Sequence, residues 1–254
     1  MKQIPNLFTL LNLVFGCLAI IVILQNGLIA TVNIDGVQFL DIPEKIWLAS
    51  LFIGVAAVID FLDGFVARLF KATSEMGKQL DSLADVVSFG VAPGMIVYQF
   101  LRLSFAQEEN GLDVSIIWLL PAFLLPCAGA WRLARFNLDT EQSFSFKGLP
   151  IPANGIFFAS LPLIYWNVNE GITRDLLLNH WVLYGLILLF SFLMVSRIPL
   201  MSLKFKDFSI AGNLPKFLLL LIAVAAILFF KWMAVPVIVL AYLLLSLAFK
   251  NKVA

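Results

Sequence analysis

The sequence predicts an all-α polytopic membrane protein of about eight transmembrane helices, with both termini on the cytoplasmic side. Three observations predict it. Of 254 residues, 61% are apolar and only 13% charged, whereas a soluble domain carries roughly 25% charged residues. Apolar stretches recur at the length that crosses a bilayer, about 20 residues. Lysine and arginine concentrate in alternate connecting segments, as cytoplasmic loops require.

The first stretch covers residues 7–26 and follows Lys2. Its length and the lack of a small-residue cleavage site mark it as a retained helix rather than a signal peptide. Further spans are expected over 46–66, 81–103, 115–135, 151–168 and 181–197. The last two, 214–230 and 232–249, are separated only by Phe230-Lys231-Trp232. They form either a tight hairpin or one poorly divided segment. No soluble domain, low-complexity linker or fixed-period repeat interrupts the chain, which reads as one transmembrane domain over 1–254.

With the N-terminus inside, the inner segments hold Lys2, Arg68, Lys71, Lys78, Arg132, Arg135, Lys147, Arg197, Lys204, Lys206, Lys216, Lys250 and Lys252. The outer segments hold Lys45, Arg102, Arg174 and Lys231, so the bias is thirteen to four. The outer loops are acidic instead, with Asp35, Asp41, Glu44, Glu108, Glu109, Asp113, Glu170 and Asp175. This pattern fits the inner (plasma) membrane of a bacterium.

The net charge of +1 comes with no basic block, so nothing points to nucleic acid. Cys17 and Cys127 lie inside apolar runs and read as small buried hydrophobes, not as a disulfide or thiolate site. His180, beside Trp181, reads as an interfacial residue and not a metal ligand.

The chemistry is concentrated between residues 60 and 85. Asp60, Asp63, Gly64, Ala67 and Arg68 share one stripe of a helix by their spacing. Gly77, Asp81 and Asp85 share one face of the next. A short connection makes these helices antiparallel neighbours, so four carboxylates converge at one membrane depth. Desolvation and mutual repulsion oppose their ionisation unless cations neutralise them. An all-oxygen set without nearby His or Cys suits Mg²⁺ or Mn²⁺ rather than zinc. Gly64 and Ala67 remove bulk beside the acids, leaving room for a ligand. A transporter is the rival class, but transporters tend to place such acids near the midplane on broken helices. Here they stand at helix ends.

The pattern Asp60-x2-Asp63-Gly64-x2-Ala67-Arg68-x8-Gly77-x3-Asp81-x3-Asp85 resembles that of the CDP-alcohol phosphatidyltransferases at every specified position and gap. Further segments are similar to the membrane-embedded phosphatidylserine synthase branch: Ile4 to Asn12, Asp81 to Gly94, Arg132 to Asn137 and Phe146 to Ala153. The resemblance covers roughly 4–206, a six-helix core, and leaves 207–254 as an additional C-terminal hairpin. It implies two divalent ions, Mg²⁺ or Mn²⁺, on Asp60, Asp63 and Asp81. Asp85 touches one ion and serves as the general base. The ions would bridge the diphosphate of CDP-diacylglycerol while a serine hydroxyl attacks the lipid-side phosphorus, giving phosphatidylserine and CMP. Sister enzymes use glycerol phosphate, inositol phosphate or choline instead.

By the same resemblance Asn6 and Thr9 help bind the nucleotide or diphosphate, and Gly77 opens space for it. Asn6 is equally a plausible helix N-cap. Arg68 is placed to contact phosphate. Arg132 and Arg135, three residues apart on one face, suit bidentate capture of the acceptor carboxylate. Lys147, Ser88 and the Gly148-Leu149-Pro150 turn are weaker candidates. A homodimer is implied by the resemblance alone.

Overall fold

A computed structural model describes residues 4–32, 36, 38–69, 74–108, 111–138, 146–167, 171–201 and 210–249. The side chains of Ala67, Arg68 and Lys147 lie outside the description, as do Lys2, Lys71, Lys204, Lys206, Lys250 and Lys252.

The chain is overwhelmingly helical because its apolar runs must satisfy their backbone groups internally in lipid. Helix α1 (Ile4–Gln25) packs along α2 (Trp47–Leu69). Between them an antiparallel ribbon joins β1 (Ile29–Val32) to β2 (Gln38–Asp41), with Ile29 opposite Asp41. Helix α3 (Glu75–Asp85) runs through a π-helical turn, Val86–Val91, into α4 (Ala92–Ala106). Single 3₁₀ turns at Ile116–Trp118 and Leu120–Phe123 lead into α5 (Leu124–Leu138). A two-residue strand β3 (Phe146–Lys147) precedes α6 (Ile151–Asn167), the short α7 (Ile172–Leu177) and α8 (His180–Val195). Strand β4 (Pro199–Leu200) pairs antiparallel with β3. The chain ends in α9 (Ile210–Phe230) and α10 (Ala234–Ala248).

Five helical stretches are long and apolar enough to cross a membrane: Pro5–Gln25, Glu44–Val66, Glu75–Ala106, Ile116–Leu138 and Asn213–Ala248, with His180–Val195 as a shorter apolar helix. The last stretch folds back on itself. Lys231 adopts a positive φ of 46° in the turn Lys231–Met233, and α9 packs against α10. The chain is therefore an integral membrane protein of α-helical class, with two short ribbons that an all-α reading omits.

Several expectations change. The third helical stretch begins at Glu75 rather than 81, because Ser74 caps it by accepting from the Gly77 N–H at 3.0 Å. The fourth starts as 3₁₀ turns around Pro121, which has no N–H to continue an α-helix. Cys17 and Cys127 are exposed, not buried. In a bilayer the outward face of a helix is apolar too, so an apolar neighbourhood does not place a residue in the core. His180, read as interfacial, is half-buried: its ring stacks on Phe105 at 4.6 Å and its Nδ1 lies 3.3 Å from Glu108 Oε1.

The core centres on Phe89, Phe100, Phe158 and Phe190, all almost wholly buried. Packing is close around the π turn. A Cβ on Gly16 of α1 would collide with Ser88 Oγ and stand 2.9 Å from Ser88 Cα, and one on Gly155 of α6 would stand 2.8 Å from Phe89 Cβ. Pro93 offers no N–H to the Phe89 carbonyl one turn back, and Asn154 Nδ2 donates to that carbonyl at 3.1 Å.

Candidate active site

Helix α1 packs against both α2 and α3, and the carboxylates of Asp60 and Asp63, near the C-terminal end of α2, come together with that of Asp81, in the C-terminal half of α3. One carboxylate oxygen from each of Asp60, Asp63 and Asp81 lies within 4.8 Å of the other two. Asp63 is buried, while Asp60 and Asp81 are half-buried. Asp85, one helical turn beyond Asp81, stands deeper and is also buried. Among the described residues no Lys or Arg is within ion-pair distance of any of the four. Asp81 Oδ1 is buried without a hydrogen-bond partner. Close carboxylates in a poorly hydrated crevice, one oxygen orphaned and no described basic side chain paired to them, suit hard divalent cations. The donor set therefore fits such an ion.

Helix α1 forms the third wall, through one polar stripe. Thr9 Oγ1 donates to Asp63 Oδ2 at 2.8 Å. Asn12 Nδ2 donates to Asp85 Oδ1 at 3.3 Å, and Ser88 Oγ donates to the Asn12 carbonyl at 3.1 Å. Asn6 packs against the start of α3, where a Cβ on Gly77 would stand 2.9 Å from Asn6 Oδ1. Gly77 thus gives room to Asn6, while a Cβ on Gly64 would meet no atom within 4 Å. Ala67 and Arg68 continue α2 toward the same end. Asn12 was absent from the residues singled out by sequence. The signal was present: Asn6, Thr9 and Asn12 recur every third residue in an otherwise apolar helix.

The two arginines part company. Arg132 is buried, with Nε unpaired. Arg135 instead holds the end of α8: Nη1 donates to the Val195 carbonyl at 2.8 Å and Nη2 to that of Ser196 at 3.1 Å. The Gly148 turn docks on the same end, with the Leu149 N–H donating to Leu193 O at 3.0 Å. Asn137 Nδ2 donates to Ser82 Oγ at 2.8 Å and Lys78 Nζ to the Asn137 carbonyl at 3.1 Å, which fastens α5 to α3. All these groups lie at one end of the helix bundle. The opposite end carries the β1–β2 ribbon and a clasp in which Tyr165 Oη donates to Asp41 Oδ1 at 2.6 Å and accepts from Arg174 Nη2 at 2.9 Å.

A helical membrane protein with a carboxylate cluster at one end of its bundle defines the class. A family model described as CDP-alcohol phosphatidyltransferase matches residues 2–193. The chain belongs to the CDP-alcohol phosphatidyltransferase family. It is 34% identical over 222 residues to a Helicobacter pylori CDP-diacylglycerol–serine O-phosphatidyltransferase, covering 86% of this chain and 78% of that one. A Bacillus subtilis protein of the same name is 33% identical over 165 residues, 65% of this chain and 78% of its own. One from Saccharomyces cerevisiae is 38% identical over 148 residues, 52% of this chain and 50% of its own.

Proposed function

We propose that this chain transfers the phosphatidyl group of CDP-diacylglycerol to L-serine, giving phosphatidylserine and CMP. The observation that carries the mechanism is the division of the acids. Three carboxylates cluster within 4.8 Å, and a fourth, Asp85, is held apart on Asn12. The names of the relatives support serine as the acceptor.

Asp60, Asp63, Asp81 and Asp85 would hold two divalent ions, Mg²⁺ or Mn²⁺, whose charge offsets that of the diphosphate and the departing CMP. Asp85 accepts the proton of the serine hydroxyl as its oxygen bonds to the lipid-side phosphorus and the bond to CMP breaks. A hydroxyl is a weak nucleophile and needs such a positioned base. Asn6, Thr9, Gly64 and Gly77 line the CDP-lipid side, and the motif assigns Ala67 and Arg68 to the same role, Arg68 as a phosphate contact. Arg132 takes the acceptor carboxylate, and Arg135 anchors α8 beside it. The topology we assign has eight spans with both ends cytoplasmic, in a single domain of core (1–206) and C-terminal hairpin (207–254). In this reading the protein is a homodimer in a bacterial inner membrane with its site facing the cytoplasm.

The test is CMP release by purified protein against serine, glycerol phosphate, inositol phosphate and choline, with and without Mn²⁺ or Mg²⁺. Serine-dependent, metal-dependent release is expected. Turnover with glycerol phosphate and none with serine would replace the acceptor.

A further inference from the structure

Asn12 has no exposed surface and lies directly against Asp85. Its Nδ2 is committed to the Asp85 carboxylate, yet its Oδ1 is buried and accepts no hydrogen bond from any described residue. Its backbone is held in place. Ser88 Oγ grips its carbonyl at 3.1 Å, and Gly16, one turn on, packs on Ser88. A primary amide has acceptor and donor on one carbon, and a buried acceptor without a partner is costly. Arg132 presents the opposite case, a buried guanidinium with Nε unpaired. Asp85 therefore has an orphan acceptor beside it, which complements an N–H group on a molecule whose hydroxyl meets Asp85, while the proposed function assigns that molecule's carboxylate to Arg132.

We infer that Asn12 selects the acceptor by its amine: Nδ2 holds Asp85 while Oδ1 accepts an N–H from the α-ammonium of the incoming amino acid. The inference rests on the proposed reaction and extends it to substrate choice. In serine the ammonium and the hydroxyl sit on adjacent carbons. In the amide, nitrogen and oxygen share one carbon, so a single side chain can hold the base and the amine next to each other. An alcohol with no amine leaves Oδ1 buried and unpaired. A quaternary amine such as choline has no N–H and does the same. A site built to bond a substrate N–H rejects analogues lacking it far more strongly than an apolar pocket rejects a missing methylene.

The experiment compares kcat/KM for L-serine and for β-hydroxypropionate, the same skeleton without the amine. It uses full-length protein with CDP-diacylglycerol in mixed micelles, read as CMP release. Wild-type protein is expected to prefer serine by about a hundredfold or more. Asn12→Ala should lower that preference by about tenfold or more. Asn12→Asp keeps an acceptor oxygen but loses the donor to Asp85, so its turnover falls while the preference for serine stays. Both values come from one sample, so their ratio is independent of the fraction that folds. An unchanged ratio in Asn12→Ala, or an equal loss in Asn12→Asp, overturns the inference and leaves the serine reaction standing. Wild-type turnover with glycerol phosphate and none with serine overturns the proposed reaction itself. Arg132→Gln separates the two recognition elements: it should lower the preference for serine over ethanolamine and leave the preference over β-hydroxypropionate in place.

Discussion

Thr9 Oγ1 donates to Asp63 Oδ2 at 2.8 Å, joining the first helix to the second across 54 residues of chain. The bond fixes the rotamer of one carboxylate in the cluster from outside the helices that carry it. Groups that orient metal ligands in this way typically contribute 10–100-fold in metal affinity. Thr9→Val keeps the shape and removes the donor. It should raise the Mn²⁺ concentration for half-maximal activity by roughly tenfold, with little change in thermal stability. Titration of Mn²⁺ by calorimetry and by CMP release checks this, and an unchanged midpoint would dismiss the role.

Asp85 and Asp60 should separate by function. Asp85→Asn is expected to reduce turnover by about a thousandfold or more, since the proposed acceptor of the hydroxyl proton is lost, while CDP-lipid and metal binding partly survive. Asp60→Asn should weaken metal binding itself. Near-wild-type activity in both would refute the assignment.

Removing divalent cations should abolish CMP release and leave the fold in place, because the helices are held by lipid-phase packing and not by the ions. EDTA treatment, circular dichroism, and recovery on adding Mg²⁺ or Mn²⁺ in excess measure this. Full activity after exhaustive chelation would remove the metal from the mechanism.

Gly148 has φ of +80°, and a Cβ there would stand 2.7 Å from the Met194 carbonyl and 2.8 Å from that of Ser196. Those carbonyls belong to the helix end that Arg135 holds. Gly148→Ala should cost about 2 kcal/mol or more through strain and collision, seen as a lower melting temperature in detergent. A melting temperature equal to wild type would contradict the packing described.

Tyr165→Phe provides a contrasting case at the far end of the bundle. It removes the hydroxyl between Asp41 and Arg174 and leaves the buried Asp41 short of a donor. Stability should fall by about 1–3 kcal/mol, while serine-dependent kcat/KM of the remaining folded protein stays the same. A selective loss of kcat would mean that the two ends are coupled.

Much of the candidate site was readable before any coordinates. Asp60 and Asp63, like Asp81 and Asp85, share a helix face because 3.6 residues make a turn, and no partner is needed to establish that. The pairings of Thr9 and Asn12 were not readable. In that apolar helix Asn6 reads as a cap or ligand contact and Thr9 as a ligand contact, and spacing alone gives Asn12 no role, so none of them reads as a support for the acids. Arg135 was indistinguishable from Arg132 by spacing, since each lies on the same face of α5. One is buried and the other fastens α8, which depends on where α8 ends. The cysteines failed for a different reason. Burial in a soluble core and contact with lipid select the same apolar residues.

What the sequence alone determined is local or compositional: a membrane protein, helices in order, and two acidic faces set by spacing. The tertiary structure decided which of these faces meet and what backs them. Helix-to-helix contact depends on how closely backbones approach, and here that is set by Gly16 against Ser88 and Gly155 against Phe89. Such contacts join residues some 65–75 positions apart. Periodicity along a chain shows which side chains share a helix face, but it carries no record of the neighbouring helix that will cover them.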